Sequence, residues 1–188
     1  MNLLAFAAAT LAVVVYIPTT IQVWRGKMQL NAASFLLWGL LDFIVAASIF
    51  VKGGNWLLPA AYVFGCSLVG VAILKSRTFK WTRLETVTSS LVLISIFVWW
   101  RSGPVMDTII STAAVITAGL LQVWDIWRKP RESTLWLWVA YSIVNGLSTI
   151  AGKDWSISER FYPASCTVLT VVMVLLTLRK FGRVPIQG

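Results

Sequence analysis

Leu57-Leu-Pro-Ala-Ala-Tyr-Val-Phe-Gly-Cys-Ser-Leu-Val-Gly-Val-Ala-Ile-Leu74 carries no charged side chain from end to end. A hydrocarbon core of about 30 Å is crossed by about 17–25 helical residues, so this stretch reads as a membrane helix. Working outward, runs of the same kind occupy residues 3 to 24, 33 to 51, 84 to 100, 105 to 124, 134 to 151 and 161 to 178. The expectation is an all-α membrane protein with seven transmembrane helices. A count of six would follow only if the short fourth run, with Glu85 at its start, failed to span.

Composition agrees with that reading. Of 188 residues 58% are hydrophobic and only 12% charged, about half the charged share of a soluble domain. Many of the eleven tryptophans stand at the ends of the apolar runs (Trp24, Trp56, Trp81, Trp99, Trp100, Trp124, Trp127, Trp155), where amphipathic rings anchor at the headgroup level. The net charge of +9 falls between the runs rather than along one polar face, which points to lipid headgroups and topology and away from nucleic acid. Cys66 and Cys166 lie in apolar stretches without metal-ligand spacing, and the chain has no histidine, so neither a metal site nor a disulfide framework is expected. The N-terminal Met-Asn-Leu-Leu-Ala lacks the basic region of a signal peptide and runs on to Val23, so it reads as the first membrane helix.

Charge sets the orientation. On a seven-span arrangement the first, third and fifth connections and the C-terminus hold Arg25, Lys27, Lys75, Arg77, Lys80, Arg83, Arg128, Lys129, Arg131, Arg179, Lys180 and Arg183. The other side keeps only Lys52, Arg101, Lys153 and Arg160. The positive-inside rule then places the N-terminus outside and the C-terminus in the cytoplasm of what is expected to be a bacterial cytoplasmic membrane.

The chain also repeats itself. A shift of 100 residues superposes Gln22 on Gln122, Trp24 on Trp124, Ser34 on Thr134, Trp38 on Trp138, Ser48 on Ser148, Tyr62 on Tyr162 and Cys66 on Cys166. Several coincidences of rare residues at one offset are hard to obtain by chance, so helices one to three are expected to recur as helices five to seven. This divides the chain into a first three-helix repeat (1–83), a linker helix (84–104) and a second repeat with a basic tail (105–188). One intervening helix gives both copies the same orientation, and the natural pocket then lies between them. A single chain would hold both halves of such a pocket, and a homo-oligomer remains open.

Tyr16-Ile-Pro-Thr-Thr-Ile-Gln-Val-Trp-Arg-Gly-Lys27, followed by Ser34-Phe-Leu-Leu-Trp38 and Asp42, resembles the helix-one to helix-two region of the PQ-loop and SWEET-like superfamily, with uncharacterised bacterial members the nearest likeness. Trp127-Arg-Lys-Pro-Arg-Glu-Ser133, Asn145 and Tyr162-Pro163 resemble its second repeat. The resemblance implies a three-plus-one-plus-three fold and a facilitator or exchanger of sugars, amino acids or related solutes held between the two bundles. Thr19 stands where the glutamine of the proline-glutamine pair would be, and Ala118 stands opposite Pro18 in the second repeat.

Candidate site residues follow from polarity at depth. Asp42 is the only acid deep within a predicted span, where an ionisable group costs about 2.5–3.5 kcal/mol to insert and marks a functional site by default. It could couple protons or cations, accept from a polar substrate, or tie two helices together. Ser142 is its repeat equivalent, and Asn145 lies about one turn further on the same face, offering donors and an acceptor. Trp38 and Trp138 sit a turn from Asp42 and Ser142 and could stack on a ring, or simply pack. Tyr62 and Tyr162, Gln22 and Gln122, and Pro18 are candidates for gates near the helix ends, with interface anchoring as the alternative.

No histidine, no glycine-rich phosphate loop and no acidic pair outside loops such as Asp154 and Glu159 argue against an enzyme, and no cofactor is expected. The leading expectation is a transporter or facilitator of a small polar solute such as a sugar or amino acid, working by alternating access between the bundles, with the solute and the bilayer as its partners. The alternatives are a non-transporting receptor, sensor or assembly factor on the same fold, and a nucleoside or vitamin-precursor carrier.

Overall fold

In the computed structural model the described residues are 2–28, 32–75, 83–128 and 134–179. Arg77, Lys80, Trp81, Lys129 to Ser133, Lys180 and Arg183 lie outside them, as do the side chains of Ser34, Glu85 and Trp99. Every apolar run holds a helix: α1 Leu3–Trp24, α2 Ala32–Val51, α3 Leu57–Lys75, α4 Arg83–Ser102, α5 Pro104–Arg128, α6 Leu135–Ala151 and α7 Tyr162–Leu178, the last entered through a π-helical turn at Ile157–Phe161. The described residues contain no strand. Four helices, α1, α3, α5 and Ile157–Leu178, are long and apolar enough to cross a membrane, and Phe35–Val51, Val92–Ser102 and Leu135–Ala151 form shorter apolar helices.

Local chemistry sets these boundaries. The Asn2 side chain accepts from the Leu4 amide at 3.0 Å and caps α1. Gly53, at φ +68°, ends α2 in the left-handed conformation that only glycine adopts without strain. Inside the helices, hydroxyls bond the carbonyl one turn back, as in Thr19 to Val15 (3.0 Å) and Thr177 to Met173 (2.8 Å), so they reach the interior already satisfied. Pro18 interrupts α1 by removing the amide that would bond Val14, and its ring faces outward.

The outside of the molecule is far more apolar than a soluble domain's. Phe6, Phe43, Phe50, Phe64, Leu93, Phe97, Ile150, Val168 and Leu175 stand exposed on the outside. Asp42, Ser48, Asp107, Ser111, Asn145, Ser148 and Thr177 are buried. An apolar exterior, with polar side chains buried among an apolar core, is compatible with an integral membrane protein and unfavourable in water.

Helix packing repeats between the halves. α3 packs on both α1 and α2, and α7 packs in the same way on both α5 and α6. Between the halves α2 meets α5 and α1 meets α6, contacts that exchange when the halves are exchanged, while α4 lies on α5 and α2. The close approach of α1 and α3 depends on Gly65, where an added Cβ would stand 1.9 Å from the Tyr16 ring.

Candidate functional site

The helix order brings one face of α2, α3, α6 and α7 around a cavity of ≈ 80 Å³. α2 presents Phe35, Trp38 and Asp42 at steps of three and four residues, and α6 presents Trp138, Tyr141 and Asn145 at the same steps, the spacing of a single helix face. α3 contributes Tyr62 and Cys66, α7 contributes Tyr162 and Cys166, and α1 adds Tyr16. All four tyrosines and both cysteines of the chain therefore line this one space.

Two hydrogen bonds cross it between the halves. The Tyr162 hydroxyl on α7 donates to Asp42 Oδ1 on α2 at 2.6 Å, and the Tyr62 hydroxyl on α3 donates to Asn145 Oδ1 on α6 at 2.9 Å. The donors are repeat equivalents, while the acceptors are a carboxyl in one case and an amide in the other. Asn145 Nδ2 donates in turn to the Tyr141 carbonyl at 2.8 Å, which fixes the amide so that its oxygen faces Tyr62. Tyr16, Tyr62 and Tyr141 meet edge-on or tilted, with centroids 5.4–6.0 Å apart, and the Tyr16 hydroxyl lies 3.3 Å from Cys66 Sγ. The indole Nε1 groups of Trp38 and Trp138 are buried and have no acceptor among the described residues. Among the described residues Asp42 is the only carboxyl in the lining, and neither lysine nor arginine belongs to it.

Of the residues singled out by sequence, Asp42, Asn145, Trp38, Trp138, Tyr62 and Tyr162 come together here. Ser142 does not: its hydroxyl bonds the Trp138 carbonyl at 2.8 Å and lies outside the lining. Gln22 and Gln122 are half-buried away from the cavity, and Pro18 lies exposed on α1, two residues after Tyr16.

Sequence reasoning passed over Tyr16, Phe35 and Tyr141 as site residues, and it overlooked a second buried acid. Asp107, in the first turn of α5, is fully buried and accepts from the Ser48 hydroxyl of α2 and from Ser111 at 3.1 Å. It ties α2 to α5 across the halves. The signal for Tyr141 was its place three residues after Trp138 and four before Asn145. For Asp107 no such signal existed, because an acid near a helix N-terminus is ordinary.

A second set of polar contacts joins the segment between α2 and α3 to α6 and to the π-helical turn. The Asn55 amide donates to the Ser158 carbonyl at 3.1 Å, and its Nδ2 reaches the Ser148 carbonyl and hydroxyl, each at 3.2 Å. Asn2 Nδ2 donates to the Ala151 carbonyl at 2.7 Å. Beside these lies a polar pocket of ≈ 210 Å³ whose lining includes Asn2, Asn55, Lys153 and Glu159. Glu159, in the π-helical turn, is buried and accepts from the Lys153 amide (3.1 Å), with the Lys153 ammonium 3.8 Å away. Asp154, exposed in the same loop, is held below the usual carboxylate range by the Ser156 hydroxyl and backbone amide. At the helix ends, cations lie over exposed tryptophans: Lys75 over Trp24 (4.2 Å), Arg128 over Trp124 (4.7 Å), Arg179 over Trp127 (3.9 Å) and Arg160 over Trp155 (4.7 Å).

Comparisons with protein-family models, curated proteins and solved structures return no match. The functional reading therefore rests on the chemistry of the site.

Proposed function

We propose that this chain is a seven-span, SWEET-like membrane transporter or facilitator of a small polar solute, built from two parallel three-helix bundles (1–83 and 105–188) joined by a linker helix. Its N-terminus faces outward and its C-terminus faces the cytoplasm of a bacterial membrane. The observation that carries this reading is the cavity between the halves, lined from both and bridged by Tyr62 to Asn145 and Tyr162 to Asp42. A buried acid that touches another half of the molecule, in a space with unpaired donors, is what a midplane solute site requires. The exchange-symmetric packing of α1, α2, α5 and α6 supplies two units able to rock against each other. On this reading the bond from the Asn55 backbone amide to the Ser158 carbonyl, which joins the two bundles, is one of the contacts that open when they do.

Uptake by purified protein in liposomes tests the proposal, with labelled sugars, amino acids and small amines, with and without a pH gradient, for the wild type and Asp42→Asn. Saturable uptake lost in the variant is expected. Binding of a solute to the protein with no uptake of it in any condition would contradict transport and leave a receptor on the same cavity.

A further inference from the structure

We infer that the solute is a compact organic cation of the alkylated-ammonium type carrying one acceptor oxygen, an assignment that rests on the transport reading of the same cavity. Four features of the lining converge on it.

The first is charge. Asp42 is 3% exposed, and no basic group accompanies it among the described residues of the lining, so a bound cation supplies the missing countercharge in a medium where an unpaired one is costly. The second is the wall. Tyr16, Tyr62, Tyr141, Tyr162, Trp38 and Trp138 put aromatic surface around that carboxylate, and aromatic faces attract a cation most strongly when it is alkylated and weakly hydrated. The hydroxyls of Tyr62 and Tyr162 are already engaged with Asn145 and Asp42, so the wall meets a solute mainly through ring faces.

The third is the pair of orphan donors. Trp138 is 5% exposed, and its Nε1 has no acceptor among the described residues, as is true of its repeat equivalent Trp38. Buried donors left unpaired are unfavourable, and one ligand oxygen relieves that cost. The fourth is size. The cavity is small, ≈ 80 Å³, which favours a compact solute such as choline over a nucleoside or a disaccharide.

Equilibrium binding of labelled choline to the detergent-purified full chain at pH 8 tests the inference, with 3,3-dimethylbutan-1-ol, its uncharged carbon isostere, as competitor. The expected result is saturable choline binding that the isostere displaces at least tenfold more weakly than choline itself. Asp42→Asn, which keeps an oxygen for the Tyr162 hydroxyl, weakens choline at least tenfold. Trp138→Phe, which keeps an aromatic ring and removes the N–H, weakens it several-fold. An isostere as potent as choline, unchanged choline affinity in Asp42→Asn, or absence of choline binding would each overturn the inference. The liposome assay separates the two readings. Choline binding without choline uptake would contradict transport alone, whereas uptake of a sugar or amino acid without choline binding would contradict the cation alone.

Discussion

The two halves of this molecule use the same donors and different acceptors. Tyr62 and Tyr162 occupy equivalent places on α3 and α7 and each reaches across to the other half, yet one meets the Asn145 amide and the other the Asp42 carboxyl. The position equivalent to Asp42 is Ser142, whose hydroxyl turns back to its own helix. The helices and tyrosines recur in the two halves, whereas the carboxyl occurs in only one of these two bridges. On the proposed function the asymmetry matters, since one carboxylate in an aromatic space would distinguish one side of a solute from the other.

Substitutions can break or sharpen this contrast. The largest effect is expected for Asp42→Ala, which removes the only carboxyl among the described residues of the lining and strands the Tyr162 hydroxyl; solute uptake in liposomes should fall at least tenfold, against a smaller loss for Asn145→Ala. Next, Tyr162→Phe should destabilise the detergent-solubilised protein more than Tyr62→Phe. A bond to a charged acceptor is worth about 1.5–3 kcal/mol and one to a neutral acceptor about 0.5–1.5 kcal/mol. Thermal unfolding at pH 8 checks the ranking, and equal losses would mean that the two acceptors are alike.

A packing contrast ranks third. Gly65→Ala drives a Cβ into the Tyr16 ring and should cost about 1–3 kcal/mol, whereas Gly146, with nothing within 4 Å of its would-be Cβ, should tolerate alanine or gain from it. The same unfolding measurement reads both. The smallest effect belongs to the helix ends. Arg128→Gln should change stability by about 0.5–1 kcal/mol, because its contact with Trp124 is exposed. Arg179→Gln should cost slightly more, since Arg179 also donates to the Trp127 carbonyl at 2.7 Å.

Much of the helical layout was legible in the sequence, because an uncharged run such as Leu57–Leu74 leaves the backbone no option in an apolar medium but to satisfy itself as helix. Asp42, Trp38 and Trp138, which line the cavity, stood out in the sequence for a related reason: polarity and repetition are one-dimensional signals. Their partners were not. That Tyr162 faces Asp42, and Ser48 faces Asp107, depends on α3 and α7 each lying between the other two helices of their half, and on the rotation of each helix about its axis. Tyr62 and Tyr162 sit near helix ends along the chain, which suggested gates. Their hydroxyls point inward to Asn145 and Asp42, a direction that residue number does not encode. Ser142 was chosen by equivalence to Asp42, but the face that α6 turns to the cavity runs through Tyr141 and Asn145.

The most direct test of a cavity reached in turn from two sides uses the chain's own thiols. Cys66 and Cys166 are its only cysteines, neither forms a disulfide, both are buried, and both line the cavity. In sealed proteoliposomes of one orientation, a small membrane-impermeant thiol reagent should modify them when applied outside and, in a separate sample, when trapped inside, with transported solute protecting in both cases. Modification from one side only, or from neither, would contradict alternating access through this cavity.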